Sequence, residues 1–185
     1  MHTAVSDAGP LIHLAQIGKL NLLRRLFGTV VITPRVKGEV VDEGLRLGHA
    51  DASVIKEAIE EGWIVMEEVP EKLSSAAKRL AEEENLSQSD TETLLLARQR
   101  KVKVFLVDEK PLSDLAKMYR LKVWNTWTIL LEALSRGFIK TSDIEFAINE
   151  LGKRRHKLKP EQATEILEAA KLVLSRRGNQ KTINP

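Results

Sequence analysis

Thr3-Ala4-Val5-Ser6-Asp7 and Lys103-Val104-Phe105-Leu106-Val107-Asp108 are two short apolar runs, a hundred residues apart, that each end on an aspartate. Thr29-Val30-Val31-Ile32-Thr33 is a third run of the same kind, followed at once by Pro34. Runs this short, rich in Val and Ile and lacking alternation, read as strands buried on both faces. Trp63 to Val69 and Lys122 to Asn125 complete a set of five. Between them lie helical patterns: Ala50 to Glu61 with Val54, Ile55, Ala58 and Ile59 on one face, Glu71 to Glu84, Ser89 to Arg100, and Pro111 to Tyr119. Strands alternating with helices of this length predict an α/β fold, a three-layer α/β/α sandwich on a mainly parallel five-stranded sheet.

In a parallel sheet the functional rim is the C-terminal ends of the strands. Asp7 and Asp108 are each delivered there directly by the strand they close. A strand-end Asp is also a common helix cap, so either residue alone decides little. The helix opened by Pro34 starts at the same rim, and Glu39 flanks its buried stripe of Val36 and Val40. The Ser89–Arg100 helix leads back into a parallel strand, so its N-terminus, with Asp90 and Glu92, also lies at that rim. Glu92 shares a face with Leu95 and Leu96. It is alternatively the far end of a capping box begun by Ser89, and Asp90 a partner of the helix dipole. Carboxylates gathered this closely raise one another's pKa unless a cation compensates them. Mg2+ or Mn2+, which prefer oxygen ligands, are the economical choice. His2, His13, His49 and His156 are scattered and cysteine is absent, which disfavours zinc.

The absence of cysteine also excludes disulfides and a cysteine nucleophile. No apolar stretch is long enough to span a bilayer and the first residues lack a signal-peptide pattern, so a cytoplasmic protein is expected. A charge-rich, cysteine-free composition leans toward a thermophilic source. The net charge of +3 is uneven: residues 151–185 hold nine basic side chains against three acidic ones, a net +6, leaving −3 on the remainder. A basic tail on an acidic body suits a nucleic acid, although a solvated terminal helix has the same composition. Lys37 and the run Lys153, Arg154, Arg155 and Lys157 are the candidate phosphate contacts. Trp124 and Trp127 are read as core residues before stacking platforms. The expected division is a domain over residues 1–137, a helical extension packed on it over 138–178, and a flexible basic tail over 179–185. The extension holds one helix capped near Thr141 or Ser142, with Glu145 closing a capping box, and another from Pro160 to Gly178.

Four segments taken in order resemble the PIN-domain nucleases. Ser6-Asp7-Ala8-Gly9-Pro10-Leu11-Ile12 resembles the family's opening, and Pro34-Arg35-Val36-Lys37-Gly38-Glu39-Val40 its second motif. Glu92-Thr93-Leu94-Leu95-Leu96-Ala97 and Phe105-Leu106-Val107-Asp108-Glu109 are similar to the third and fourth, over roughly residues 3 to 135. The resemblance implies Mg2+ or Mn2+ dependence and endoribonuclease action on single-stranded RNA. It further implies a homodimer and, in many relatives, a toxin with an antitoxin partner. Asp7, Glu39, Glu92 and Asp108 would be the catalytic set, with Asp7, Glu92, Asp108 and Asp90 toward metal. Glu92 stands where Asp is commoner, with Asp90 as its competitor, and Val107 replaces a frequent Ser or Thr. The fourth acid is open between Asp108, Glu109 and Asp114. A catalytically weak PIN-like scaffold that binds a partner is the alternative. Phosphoryl transfer through an aspartyl-phosphate ranks last, since Gly9 stands where a second acid is wanted.

Overall fold

A computed structural model describes residues 3–153 and 158–183, with side chains as far as 176. Five parallel strands form one sheet: β1 (Ala4–Ser6), β2 (Val30–Ile32), β3 (Ile64–Met66), β4 (Phe105–Leu106) and β5 (Val123–Trp124). Their order is β3-β2-β1-β4-β5, with Val5 opposite both Val31 and Phe105. Each predicted strand is present and parallel, shorter than read from sequence because the flanking polar residues turn away into loops.

The order matters more than the count. The chain steps outward from β1 to β2 to β3, then crosses back to lay β4 on the other side of β1. The direction of winding therefore reverses between β1 and β4, and a reversal opens a crevice at the strands' C-terminal ends. Asp7 sits at its lip, its backbone N–H donating to Leu106 O at 2.9 Å.

Helices cover both faces. Val5 and Val31 point toward α7 (Gln88–Gln99) and α8 (Lys110–Met118), and form one core with Leu94, Leu96, Phe105, Leu112 and Leu115. On the other side α1 (Ala8–Gln16) packs against α5 (Ala50–Glu60). α2 (Asn21–Phe27) follows α1, and α6 (Glu71–Glu84) lies along α7. The helix opened by Pro34 is the least regular. Thr33 caps α3 (Pro34–Lys37), its Oγ1 accepting from Val36 N at 3.2 Å. The chain then widens into a π-helical turn over Gly38–Glu43 before α4 (Gly44–Arg46). Widened turns of this kind recur at functional sites because the extra residue re-aims its neighbours. Glu39 lies in this one.

The chain divides into two compact units, and the sheet-bearing one ends at Thr126, short of Gly137. The second contains the rest of α9 (Thr126–Ser135), with α10 (Thr141–Lys153) and α11 (Pro160–Ile183). Within it α10 packs on α11, and Ile144, Ala147, Leu151 and Ala170 are buried. Two readings of this region change. The start of α10 is tied by Lys140 and Asp143, with Lys140 N donating to Asp143 Oδ2 at 2.8 Å, in place of a box from Thr141 or Ser142 to Glu145. Helix α11 runs through Gly178, where the sequence placed its end. Among the described residues no helix is long and apolar enough to cross a membrane.

Gly44 marks a close approach of helices. A Cβ there would lie 2.6 Å from the Cβ of the fully buried Ala52 on α5. Gly44→Ala is expected to destabilise the protein by about 1–3 kcal/mol through overpacking. Chemical denaturation measures this, and adding Ala52→Gly should recover most of the loss; no recovery would mean that the contact is not the cause.

Candidate functional site

The crevice between β1 and β4 gathers acidic side chains of two kinds. Asp7 is 4% exposed. It occupies the N-cap position of α1, yet its side chain makes no cap hydrogen bond, so the helix-cap reading does not account for it. Desolvation pushes its pKa up to about 7, and repulsion from Asp90, Glu39 and Glu109 adds to this against a smaller opposing effect of the Ala8 N–H. Glu39 still meets solvent, but desolvation also raises it, the Ser89 hydroxyl opposes, and Asp90, Glu43 and Glu109 repel it. Among the described residues, none of Asp7, Glu39, Asp90 and Glu109 forms an ion pair with a protein cation. These four share one negative field without a counter-charge.

The other two predicted acids are satisfied by the protein itself. Asp108 is held from three directions: His13 Nδ1 at 2.6 Å and Thr126 Oγ1 at 2.7 Å meet Oδ2, and Thr126 N donates to Oδ1 at 2.7 Å. Burial alone would raise its pKa, but the His13 and Thr126 hydrogen bonds and the His13 charge outweigh burial and lower it. Thr126 is the first residue of α9, so the carboxylate answers one of that helix's unmatched N–H groups. Glu92 is 3% exposed, and its Oε2 accepts from Arg35 Nε at 3.0 Å. Its Oε1 accepts from Ser74 Oγ at 2.6 Å and Gln88 Nε2 at 2.9 Å. Asp114 is exposed to solvent between Lys110 and Lys117, which lower its pKa, chiefly through the Lys110 hydrogen bond.

The shadowed alternatives at the third and fourth positions thus face the crevice electrostatically. Asp90 also closes a capping box, but with Ser87 in place of Ser89: Asp90 N donates to Ser87 Oγ at 3.0 Å, and Ser87 N to Asp90 Oδ2 at 3.2 Å. Ser89, freed from capping, is buried, with its hydroxyl close enough to Glu39 to influence its titration. Lys37 is paired with Asp42 at 2.6 Å, and Lys153 with Glu150 at 2.6 Å. Arg154, Arg155 and Lys157 lie outside the described residues. Trp124 packs on Phe27 with ring centroids 5.5 Å apart. Sequence reading offered Arg35 as a partner of Glu39 and missed it as the partner of Glu92, and it missed His13, Ser74, Gln88 and Thr126 as partners of the acids. Only His13 left a signal there, standing between the buried Leu11 and Leu14 of a helix that starts at the rim.

Oxygen donors alone make up the unpaired group, which is the chemistry a hard divalent cation selects. Among the described residues, no three Asp, Glu or His side chains converge into a ready ligand sphere. The four share a field.

A family model described as a PIN domain matches residues 3–172. No curated protein matches the chain.

The two aspartates have opposite signs in stability. A raised Asp7 pKa means that the folded protein loses stability as pH climbs from about 4 toward 7, when the buried group ionises. A lowered Asp108 pKa means stability present above the unfolded value and lost as pH falls through the folded one. At pH 8 in EDTA, Asp7→Asn is therefore expected to raise the unfolding free energy, and Asp108→Asn to lower it by about 1–3 kcal/mol. Denaturant titrations of both variants check this; changes of the same sign would contradict the assignment.

Proposed function

Since the chain belongs to the PIN-domain family, whose members are typically nucleases and generally use divalent metals, we propose that it is a metal-dependent endoribonuclease acting on single-stranded RNA. The observation that carries this reading is the uncompensated carboxylate of Asp7, buried at the β1/β4 crevice beside three further acids. Asp7, Glu39 and Asp90 would hold the cation, with Glu109 adding to the field. Mg2+ or Mn2+ bound there supplies a Lewis acid for phosphodiester hydrolysis. Asp108 is assigned to positioning: it joins the end of β4 to His13 and Thr126 and so fixes the lip of the crevice. Glu92 likewise orients Arg35. Lys37, two residues from Glu39, and the basic run from Lys153 would attract the RNA backbone electrostatically.

A single-stranded RNA substrate is part of this proposal, taken from the family reading; the acids lie at the C-terminal rim of the sheet, beside its interior strands β1 and β4. A toxin role with an antitoxin partner, and a homodimer, are extensions of the family reading that rest on nothing in this site. A catalytically weak scaffold is the second reading. It is favoured by Glu92 and Asp108, whose charges the protein already balances.

With Mn2+, the protein is expected to cleave an unstructured RNA, and Asp7→Asn and Asp90→Asn to lose on the order of a hundredfold or more in rate. Mn2+ should also raise the melting temperature of the wild type at pH 8 and leave that of Asp7→Asn unmoved. Cleavage retained by both variants would falsify the site; a melting temperature that Mn2+ does not move, together with inactive wild type, supports the scaffold.

A further inference from the structure

Beside the acidic crevice lies a groove of about 360 Å³, lined by Pro34, Arg35, Glu68, Val69, Ser74 and Glu92. That volume is at the small end of ligand sites. It belongs to the same rim: Pro34 and Arg35 open the helix after β2, Glu68 and Val69 follow β3, and Glu92 lies in α7. Arg35 precedes Glu39 by four residues and Glu92 follows Asp90 by two, so the groove and the acids are about one helical turn apart.

Its polar lining is specific. The buried Glu92, gripped by Ser74 and Gln88, holds Arg35 through Nε alone. Among the described residues this is Arg35's one hydrogen bond, so the terminal nitrogens of a guanidinium with five donors remain for a ligand. The Arg35 side chain is 51% exposed, within reach of solvent and of anything in the groove. Glu68 is exposed and makes no hydrogen bond or ion pair among the described residues. Pro34 and Val69 supply apolar wall. With Arg35 balanced by Glu92, the unmatched charge is that of Glu68, and a phosphate placed beside it would be repelled. A neutral, flat ligand that donates to a carboxylate, accepts from a guanidinium and stacks on apolar surface fits better.

We propose that this groove receives an unpaired guanine of the RNA next to the bond being cut. Guanine offers the N1 and N2 donors as a parallel pair to a carboxylate, and O6 and N7 as a parallel pair to a guanidinium. No other base of RNA presents both pairs. Glu68 would read the first pair, Arg35 the second, and Glu92 acts as the positioning residue that sets Arg35's plane. Single-stranded RNA is commonly read in this way, through bases splayed out and bonded on their edges.

The inference rests on the nuclease reading but is tested apart from it. Single-stranded pentaribonucleotides differing only in the central base would be titrated with the full chain in EDTA, where cleavage plays no part, and followed by fluorescence anisotropy. The guanine pentamer is expected to bind about tenfold more tightly than the other three, and Glu68→Ala and Arg35→Lys to bring the four within about twofold of one another. Flat or absent binding, a guanine preference that survives Glu68→Ala, or full displacement by inorganic phosphate overturns the proposal. Mn2+-dependent cleavage without base preference removes the groove and leaves the nuclease. Guanine preference without cleavage removes the nuclease and leaves the groove as a binding site.

Discussion

A carboxylate that is buried without a cation of its own constrains everything at this rim. Moving an ionised group out of water is costly unless the protein pairs it, and the usual result is a shifted pKa in place of a buried charge. Asp7 shows that result, titrating near neutrality. The fold does not permit the residue to escape. Its N–H is committed to Leu106 O on the neighbouring strand, and α1 begins at the next residue, so the side chain is fixed at the point where the sheet's winding reverses. Folding energy from the core around Val5, Phe105 and Leu94 offsets the strain of keeping it there.

The acids around Asp7 divide according to whether the protein completes them. Asp108 and Glu92 each make three hydrogen bonds, one of them to His13 or Arg35 respectively. Asp7, Glu39, Asp90 and Glu109 are left to repel one another. Repulsion of that kind lowers stability and is retained in proteins where a bound charge relieves it. The two groups are mechanically linked. Gly9 shows how closely: a Cβ there would lie 3.2 Å from the Asp108 Cβ and 3.3 Å from its Oδ2, so a small residue beside Asp7 is what lets Asp108 sit where it does.

The sheet and its parallel sense were legible in the sequence, as was the mutual repulsion of acids from distant segments, because each rests on a coarse signal. Apolar runs marked the strands, and the alternation of strands with helices set the direction of every helix. What the sequence could not resolve was which of two neighbouring acids faces the crevice. Asp108 and Glu109 are adjacent at a strand end, where successive side chains point to opposite faces. Asp90 and Glu92 are two apart on a helix, about 200° around its axis at 3.6 residues per turn. An error of one residue at a strand end, or of two at a helix cap, exchanges the members of each pair, and element ends are uncertain by that much. The capping box illustrates it. Ser89 and Glu92 have the right spacing, and so do Ser87 and Asp90; the structure uses the second. Arg35 was invisible as a partner of Glu92 because 57 residues separate them and only the fold brings them together.

The same spacing lets one short stretch of helix border both the acidic crevice and the groove proposed beside it. With Asp90 turned toward Asp7 and Glu39, Glu92 is necessarily turned away from them, toward α3 and α6. One acid then contributes charge to the crevice while the other anchors Arg35 in the adjoining groove. On the facing helix Arg35 and Glu39 divide in the same manner, four residues apart across the start of the π-helical turn. A regular helix would stack residues four apart on one face; the widened turn loosens that link, so the guanidinium and the carboxylate can address separate neighbours. Under the readings proposed above, each of the two helices contributes one residue to the acidic crevice and one to the groove beside it. A shift of either helix by a single residue would disturb both.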